Sequence, residues 1–273
     1  MQKHKTTIIT LTTDFGLSDE YVGVVKGVIY AKTSAARIVD LTHAIPPYDV
    51  ERAAYLIASA YLYFPAGTIH LVVVDPGVGG SRDIILVQTE KHLFLAPDNG
   101  VLEPIIKSNS TAKAFRVTNS ALFLNPPSPT FHGRDIFAPV AAFLAEGAEP
   151  KTVGPEVPIA QVTKLPVRQP VIDLTQKRIN GAVINIDHFG NIITNIHQTD
   201  VEQIPSCPKG GSYSLSLKGK SFQPLGRSYQ DVPAGNPLIL FNSRNYLEIA
   251  VNQGNAARMF KIQPGDPVLL TKE

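Results

Sequence analysis

Three aspartates stand where short apolar runs stop. Asp14 follows Ile8–Thr13, Asp40 lies near the end of the run after Arg37, and Asp75 follows Ile69–Val74, which is apolar at every position but His70. In an open α/β sheet the crevice beyond the carboxyl ends of the strands is where ligands bind. Carboxylates at such ends suggest a polar pocket. The plainer role for each is a helix cap or an Asx-turn. Asp75 leads into Pro76-Gly77-Val78-Gly79-Gly80-Ser81-Arg82. This turn matches neither the dinucleotide fingerprint nor the phosphate loop. A hairpin-like excursion of seven residues would return the Arg82 guanidinium to Asp75, fixing the carboxylate's charge and orientation.

A second cluster is Phe131-His132-Gly133-Arg134-Asp135. His132 stands just before a helix start, where the positive end of the helix favours the neutral ring. Asp98-Asn99-Gly100 reads as a tight turn. Tyr48, Pro97, Phe123 and Leu124 suit a pocket wall or the core equally. Later come Asp187-His188-Phe189-Gly190-Asn191 and Asn242-Ser243-Arg244-Asn245-Tyr246. Asp187 with Asn191 suits amine and amide groups, and Phe189 or Tyr246 suits a flat ring; both clusters also fit plain β-turns. The other histidines, at 4, 43, 70, 92, 188 and 197, form no HExxH pattern, and the single cysteine, Cys207, excludes an intrachain disulfide and any Cys-rich metal cluster.

The elements that must hold these groups are legible in outline. Thr7–Thr12, Ile38–Leu41, Ile69–Val74 and Ile84–Thr89 are short β-branched or apolar runs suited to strands buried on both faces. Ser18 is expected to cap a helix reaching about Ala31, with Asp19 and Glu20 in its first turn. Asp49 is expected to cap a second, with Ala53, Ala54, Leu56, Ile57 and Ala60 as its buried stripe. A third should follow Asp135 and run to about Ala145. Strands alternating with helices predict an α/β domain with a mainly parallel sheet. Lys151–Pro170, with prolines at 155, 158, 166 and 170, reads as a linker or a long crossover. Beyond it, short runs at 171–174, 178–187, 191–196, 212–217, 238–242 and 247–251 are separated by turn residues, Gly210 and Gly211 among them. They predict a smaller β-barrel domain. The division expected is 1–165 and 166–273.

The chain of 273 residues carries 25 Lys and Arg against 23 Asp and Glu, a balance that gives no footprint for nucleic acid. No window approaches 18 consecutive apolar residues, and the first residues lack a signal-peptide core. A cytoplasmic protein without membrane or nucleic-acid partners is the default expectation.

Thr12-Thr13-Asp14-Phe15-Gly16, Val74-Asp75-Pro76-Gly77-Val78-Gly79, Phe131-His132-Gly133-Arg134-Asp135 and Asp187-His188-Phe189-Gly190-Asn191 occur in this order. With them the chain resembles the S-adenosyl-L-methionine hydroxide adenosyltransferases, relatives of the fluorinase and chlorinase enzymes, from Ile8 to about Leu270. The resemblance implies an N-terminal α/β domain, a C-terminal β-barrel, and a homotrimer with active sites between the N-terminal domain of one subunit and the C-terminal domain of the next. It implies hydrolysis of S-adenosyl-L-methionine to adenosine and L-methionine, with no metal or other cofactor. Asp75, Arg82 and His132 match the family's catalytic residues. Asp14 matches the residue holding the ribose diol, and Tyr48 is a candidate for the ribose wall. Asp187 matches a contact to the methionine ammonium, Ser243 and Arg244 contacts near the methionine portion, and Phe189 and Asn191 residues at the adenine end. Where members often carry Glu-Arg-Arg, this chain has Ser81-Arg82-Asp83. The competing readings are halide transfer, a non-enzymatic nucleoside-binding module and a metal-dependent hydrolase.

Overall fold

The computed structural model describes residues 6–165, 169–205 and 213–272. Cys207, the expected turn glycines Gly210 and Gly211, the first residue of the strand expected at 212–217, and the break expected at Pro166 lie outside the described residues. The chain divides into two compact units, Met1–Leu165 and Pro166–Glu273.

The first unit runs β1 (Thr7–Thr13), α1 (Tyr21–Lys32), β2 (Ala36–Thr42), α2 (Val50–Ala60), β3 (Ile69–Val73), β4 (Ile84–Gln88), β5 (Leu93–Pro97), α3 (Glu103–Ser108), β6 (Lys113–Arg116), α4 (Ala138–Ala145) and β7 (Glu156–Val157). Its seven-stranded sheet has the order β2-β1-β3-β5-β4-β6-β7. The sheet is mixed. Pairing is parallel from β2 through β1 and β3 to β5, and antiparallel from β5 through β4 and β6 to β7. Crossovers through α1 and α2 set β1, β2 and β3 parallel. The short link from β4 to β5 makes that pair antiparallel, and the crossover through α3 returns β6 parallel to β5, on the far side of β4 and antiparallel to it.

Successive side chains of a strand point to opposite faces, so an all-apolar strand needs a cover on each. Ile69, Leu71 and Val73 of β3 pack in one core with Val25 and Ile29 of α1 and the apolar residues of α4. Val72 and Val74 pack on the other side with Ala53, Ala54 and Ile57 of α2 and Ile105 of α3. Each large side chain fully buried this way contributes on the order of 1.5–3 kcal/mol.

Two helix starts differ from expectation. Helix α1 begins at Tyr21, its cap position is Glu20 without a side-chain cap, and Ser18 and Asp19 precede it. The Phe131–Asp135 segment is not a lead-in to a helix. Gly133–Phe137 already forms a π-helical turn that runs straight into α4, where Pro139 occupies an early position. Asp49 does cap α2, accepting the Arg52 N–H at 2.9 Å. Such a cap is worth about 1 kcal/mol.

The second unit contains β8 (Val171–Asp173), β9 (Arg178–Ile186), β10 (Ile192–His197), α5 (Gln198–Glu202), β11 (Tyr213–Leu217), β12 (Lys220–Phe222), β13 (Leu225–Gly226), β14 (Pro237–Phe241), β15 (Tyr246–Val251), α6 (Ala256–Phe260) and β16 (Pro267–Lys272). Its nine-stranded sheet follows the path β12-β11-β16-β9-β10-β15-β14-β13, with β8 on β9. All ladders are antiparallel except β13 with β14. A separate apolar core includes Ile179, Ile192, Leu215, Phe222, Ile249 and Leu270.

Candidate active site

Strands β3 and β4 are not neighbours, because β5 lies between them. The glycine-rich segment after Asp75 is therefore an arch over the end of β5 and not a hairpin. The end of β5 pins it from below. Asn99 donates its side-chain amide to the Val74 carbonyl at 2.9 Å, and the Asp98 N–H donates to the Asp83 carbonyl at 2.9 Å. The Asp98-Asn99-Gly100 turn thus fixes both feet of the arch.

Across the arch, Arg82 returns to Asp75 as its spacing predicts. Its Nε donates to both carboxylate oxygens at 3.0 Å, and Nη2 donates to Asp75 Oδ2 at 2.5 Å. Both side chains are largely buried, 12% exposed for Arg82 and 6% for Asp75. Nη2 also lies 2.8 Å from His132 Nδ1. A guanidinium only donates, so Nδ1 accepts and the ring proton of the neutral histidine sits on Nε2. Burial, then the charge of Arg82, pushes the His132 pKa below its ordinary value, in keeping with a neutral ring.

The loop that carries His132 is locked from two sides. Asp135, 2% exposed, accepts the Ser128 N–H at 2.7 Å and a two-pronged contact from Arg134 at 2.6 and 2.9 Å. The Arg134 hydrogen bonds hold the Asp135 carboxyl below the usual carboxylate range. Gly79 of the arch has φ +75°, and a Cβ there would stand 2.1 Å from the Pro129 carbonyl oxygen. The arch and the loop thus meet at a contact that admits only glycine. Sequence reasoning read Asn99 only as part of a tight turn and gave no role to Ser128 or Pro129. Their contributions are local to the fold, and their types signal nothing beyond a turn.

Asp14 and Tyr48 form a second group in the same unit. The Tyr48 N–H donates to Asp14 Oδ2 at 2.9 Å. Tyr48 has φ +69° and its side chain is 71% exposed. Asp40 is engaged elsewhere. Its carboxylate meets Lys26 Nζ at 2.6 Å and His43 Nε2 at 3.1 Å. Phe15 packs with Tyr21 and Phe131, which joins the Asp14 segment to the His132 segment through aromatic contacts.

In the second unit, Asp187 and Asn191 close the turn between β9 and β10. Asp187 Oδ1 accepts the Asn191 N–H at 2.9 Å, and Oδ2 accepts its side-chain amide at 3.1 Å. Phe189 projects from that turn, 73% exposed. Ser243 and Arg244 occupy the turn between β14 and β15, where Asn242 Oδ1 accepts the N–H groups of Arg244 and Tyr246 at 3.0 and 3.2 Å. Glu248 and Tyr229, joined by a 2.9 Å hydrogen bond, lie within electrostatic reach of Asp187. The signal for Glu248 was available: one acid in the apolar run Leu247–Val251. Among the described residues no group of three or more His, Cys, Asp or Glu is placed to hold a metal ion.

A charge-paired arginine bonded to a neutral histidine at the end of a parallel strand is equipped to orient a small polar nucleophile. Comparison with known proteins gives the chain a family. Residues 9–154 match the model of the SAM hydroxide adenosyltransferase N-terminal domain, and residues 181–269 that of the C-terminal domain. The chain belongs to the SAM hydroxide adenosyltransferase family. It is 37% identical to the (R)-S-adenosyl-L-methionine hydrolase of Thermus thermophilus, over 94% of this chain and 96% of that protein. It is 28% identical to the fluorinase of Actinoplanes sp. strain N902-109, over 97% of both chains. A crystal structure of an uncharacterized conserved protein from Thermotoga maritima superposes with a TM-score of 0.89 at 37% identity, covering 96% of this chain and 99% of that one.

Proposed function

We propose that this protein is an enzyme that hydrolyses S-adenosyl-L-methionine to adenosine and L-methionine. The observation that carries the reading is the linked set Asp75–Arg82–His132, together with relatives named for this hydrolysis. Water attacks the ribose 5′ carbon opposite the sulfur. The C5′–O bond forms as the C5′–S bond breaks, and the electron pair of the broken bond neutralises the sulfonium. One proton leaves the water. Methionine departs without acid assistance because its sulfur is already positive, so the protein's work is to place the water and raise its hydroxide character.

The hydrogen-bond pattern supports a role for each residue. Nε and Nη2 of Arg82 are engaged by Asp75 and His132, which leaves Nη1 to face the nucleophile and stabilise developing hydroxide. With its proton on Nε2, His132 donates to the water oxygen and orients it. Asp75, a carboxylate with unused lone pairs, takes the hydrogen bond from the water and the proton as it leaves. Asp14 offers two acceptor oxygens to the cis-diol of the ribose, beside Tyr48. Asp187 meets the methionine ammonium, Ser243 and Arg244 meet its carboxylate end, and Phe189 and Asn191 take the adenine. Residues 1–165 then supply the chemistry and residues 166–273, their sheet read as a barrel, supply substrate contacts. The site is completed in a homotrimer, in which the second unit comes from a neighbouring subunit. Sedimentation should report a trimer at micromolar protein, and monomer alone would contradict the assembly.

Incubation of the purified protein with S-adenosyl-L-methionine, followed by separation of the nucleosides, tests the function. Adenosine is the expected product with or without added chloride or fluoride. A 5′-halogenated nucleoside in the presence of halide, or unchanged substrate, would contradict the proposal.

A further inference from the structure

Glu248 lies on β15 with 3% of its surface exposed, in a strand otherwise packed into apolar cores. A carboxyl group buried this deeply is costly unless its oxygens are matched by donors. Two donors face it. Tyr229 donates its hydroxyl to Oε1 at 2.9 Å. Asn242 follows two residues after Leu240, which pairs with Glu248 across the β14–β15 ladder, so its side chain lies on the same face as Glu248. Burial raises the Glu248 pKa, and these two donors oppose that shift. Burial also raises the pKa of Tyr229, which keeps its hydroxyl protonated as the donor.

Asn242 Oδ1 already accepts the backbone N–H groups of Arg244 and Tyr246. That leaves Nδ2, the donor end of the amide, for the Glu248 carboxylate on the same face. Asn242 thereby links Glu248 to the Ser243–Arg244 turn. That turn needs an anchor, because Asn245 sits at φ +61°, a conformation that favours glycine.

We propose that Glu248 is a positioning residue for substrate recognition: through Asn242 it holds the Ser243–Arg244 turn in the shape that receives the amino-acid end of the substrate. This inference rests on the reading that Ser243 and Arg244 meet the methionine portion. Glu248 touches no reacting atom, and its effect should appear in binding of the methionine end alone.

Steady-state kinetics with S-adenosyl-L-methionine, and inhibition by adenosine, separate the possibilities. Glu248→Gln keeps the size but presents an amide donor to Asn242 and gives up one acceptor oxygen. It should raise KM about tenfold, the scale of one lost charge-assisted hydrogen bond, while kcat and the inhibition constant of adenosine change less than about threefold. Tyr229→Phe, which removes one donor near the surface, should give the same selective rise at about two- to fourfold, and it serves where the Gln variant does not fold. Equal weakening of substrate and adenosine would overturn the inference, because a merely structural residue would disturb both. Arg244→Ala separates the two levels. A raised KM for Arg244→Ala with unchanged Glu248→Gln and Tyr229→Phe variants would overturn the role of Glu248 and keep the reading of the turn. An unchanged KM for Arg244→Ala would overturn the reading of the turn, and the inference with it.

Discussion

Arg82 has its charge balanced by Asp75 and one further hydrogen directed at His132. An interaction of that kind matters most when negative charge develops on the nucleophile. Arg82→Ala should lower kcat by about two orders of magnitude or more, the scale of one preorganised electrostatic partner. KM should move far less, because a nearby cation does little for ground-state binding of a sulfonium. Arg82→Lys should restore only part, since an ammonium cannot form the two-pronged contact with Asp75 and still reach His132. Steady-state kinetics decides this, and a KM effect without a kcat effect would make Arg82 a binding residue. His132 gives a second test. Its pKa is depressed by burial and by Arg82, so the ring should titrate below pH 6.5 by NMR. The acid limb of the kcat profile should fall below that pH too. Titration at or above 6.5 would contradict the neutral, accepting Nδ1. Asp14→Asn halves the acceptor capacity toward a diol, and should weaken adenosine binding by about 1.5–3 kcal/mol in calorimetry. Equal affinities would reject the role.

The arch between β3 and β4 and the loop before α4 depend on one another through Gly79. Any side chain there meets both a left-handed φ and the Pro129 carbonyl. Gly79→Ala should cost about 1–3 kcal/mol of stability from backbone strain alone. It should also lower kcat, because arch and loop separate Arg82 from His132 as they part. Thermal unfolding with kinetics checks both, and a variant with native stability and rate would show that the contact does not position the triad. This element also marks where sequence reading stops. The return of Arg82 to Asp75 is legible, because seven residues rich in glycine allow little else. The insertion of β5 beneath them is not, because pairing between distant strands leaves no trace in local spacing. The Asp49 cap is legible from residue type and a following apolar stripe. The late start of α1 is not, since Ser18 looks as good a cap as Asp49 and only packing decides between them. The π-helical turn at Gly133–Phe137 is not legible either, since nothing in its residue types separates it from an α-helical turn.

The apolar periods at the scale of the molecule announced a buried sheet in the first unit and a strand-rich second unit, and they could not separate a parallel sheet from a mixed one. An all-apolar strand such as β5 reads the same whichever way its neighbour runs. The one polar residue within β3 has its own effect on stability. His70 is fully buried between Tyr61, His92 and Phe94, with Nδ1 2.8 Å from Thr10 Oγ1. Burial, helped by the nearby His92, lowers its pKa to about 3. The folded pKa is below the unfolded value, so the fold favours the neutral ring. The contribution is complete above about pH 6.5 and is lost as pH falls from there toward 3, at about 1.4 kcal/mol per pH unit. Denaturant unfolding at pH 7 and pH 5 should show wild type losing about 2 kcal/mol more than His70→Phe, which keeps the ring and removes the titration. Equal losses would contradict this. The central claim concerns the whole site at work, and isotope-labelled water addresses it most directly. Hydrolysis in water enriched in oxygen-18 should place the label in the 5′-hydroxyl of adenosine and none in methionine. Labelled homoserine beside methylthioadenosine, or adenosine without label, would contradict attack of water at the ribose 5′ carbon.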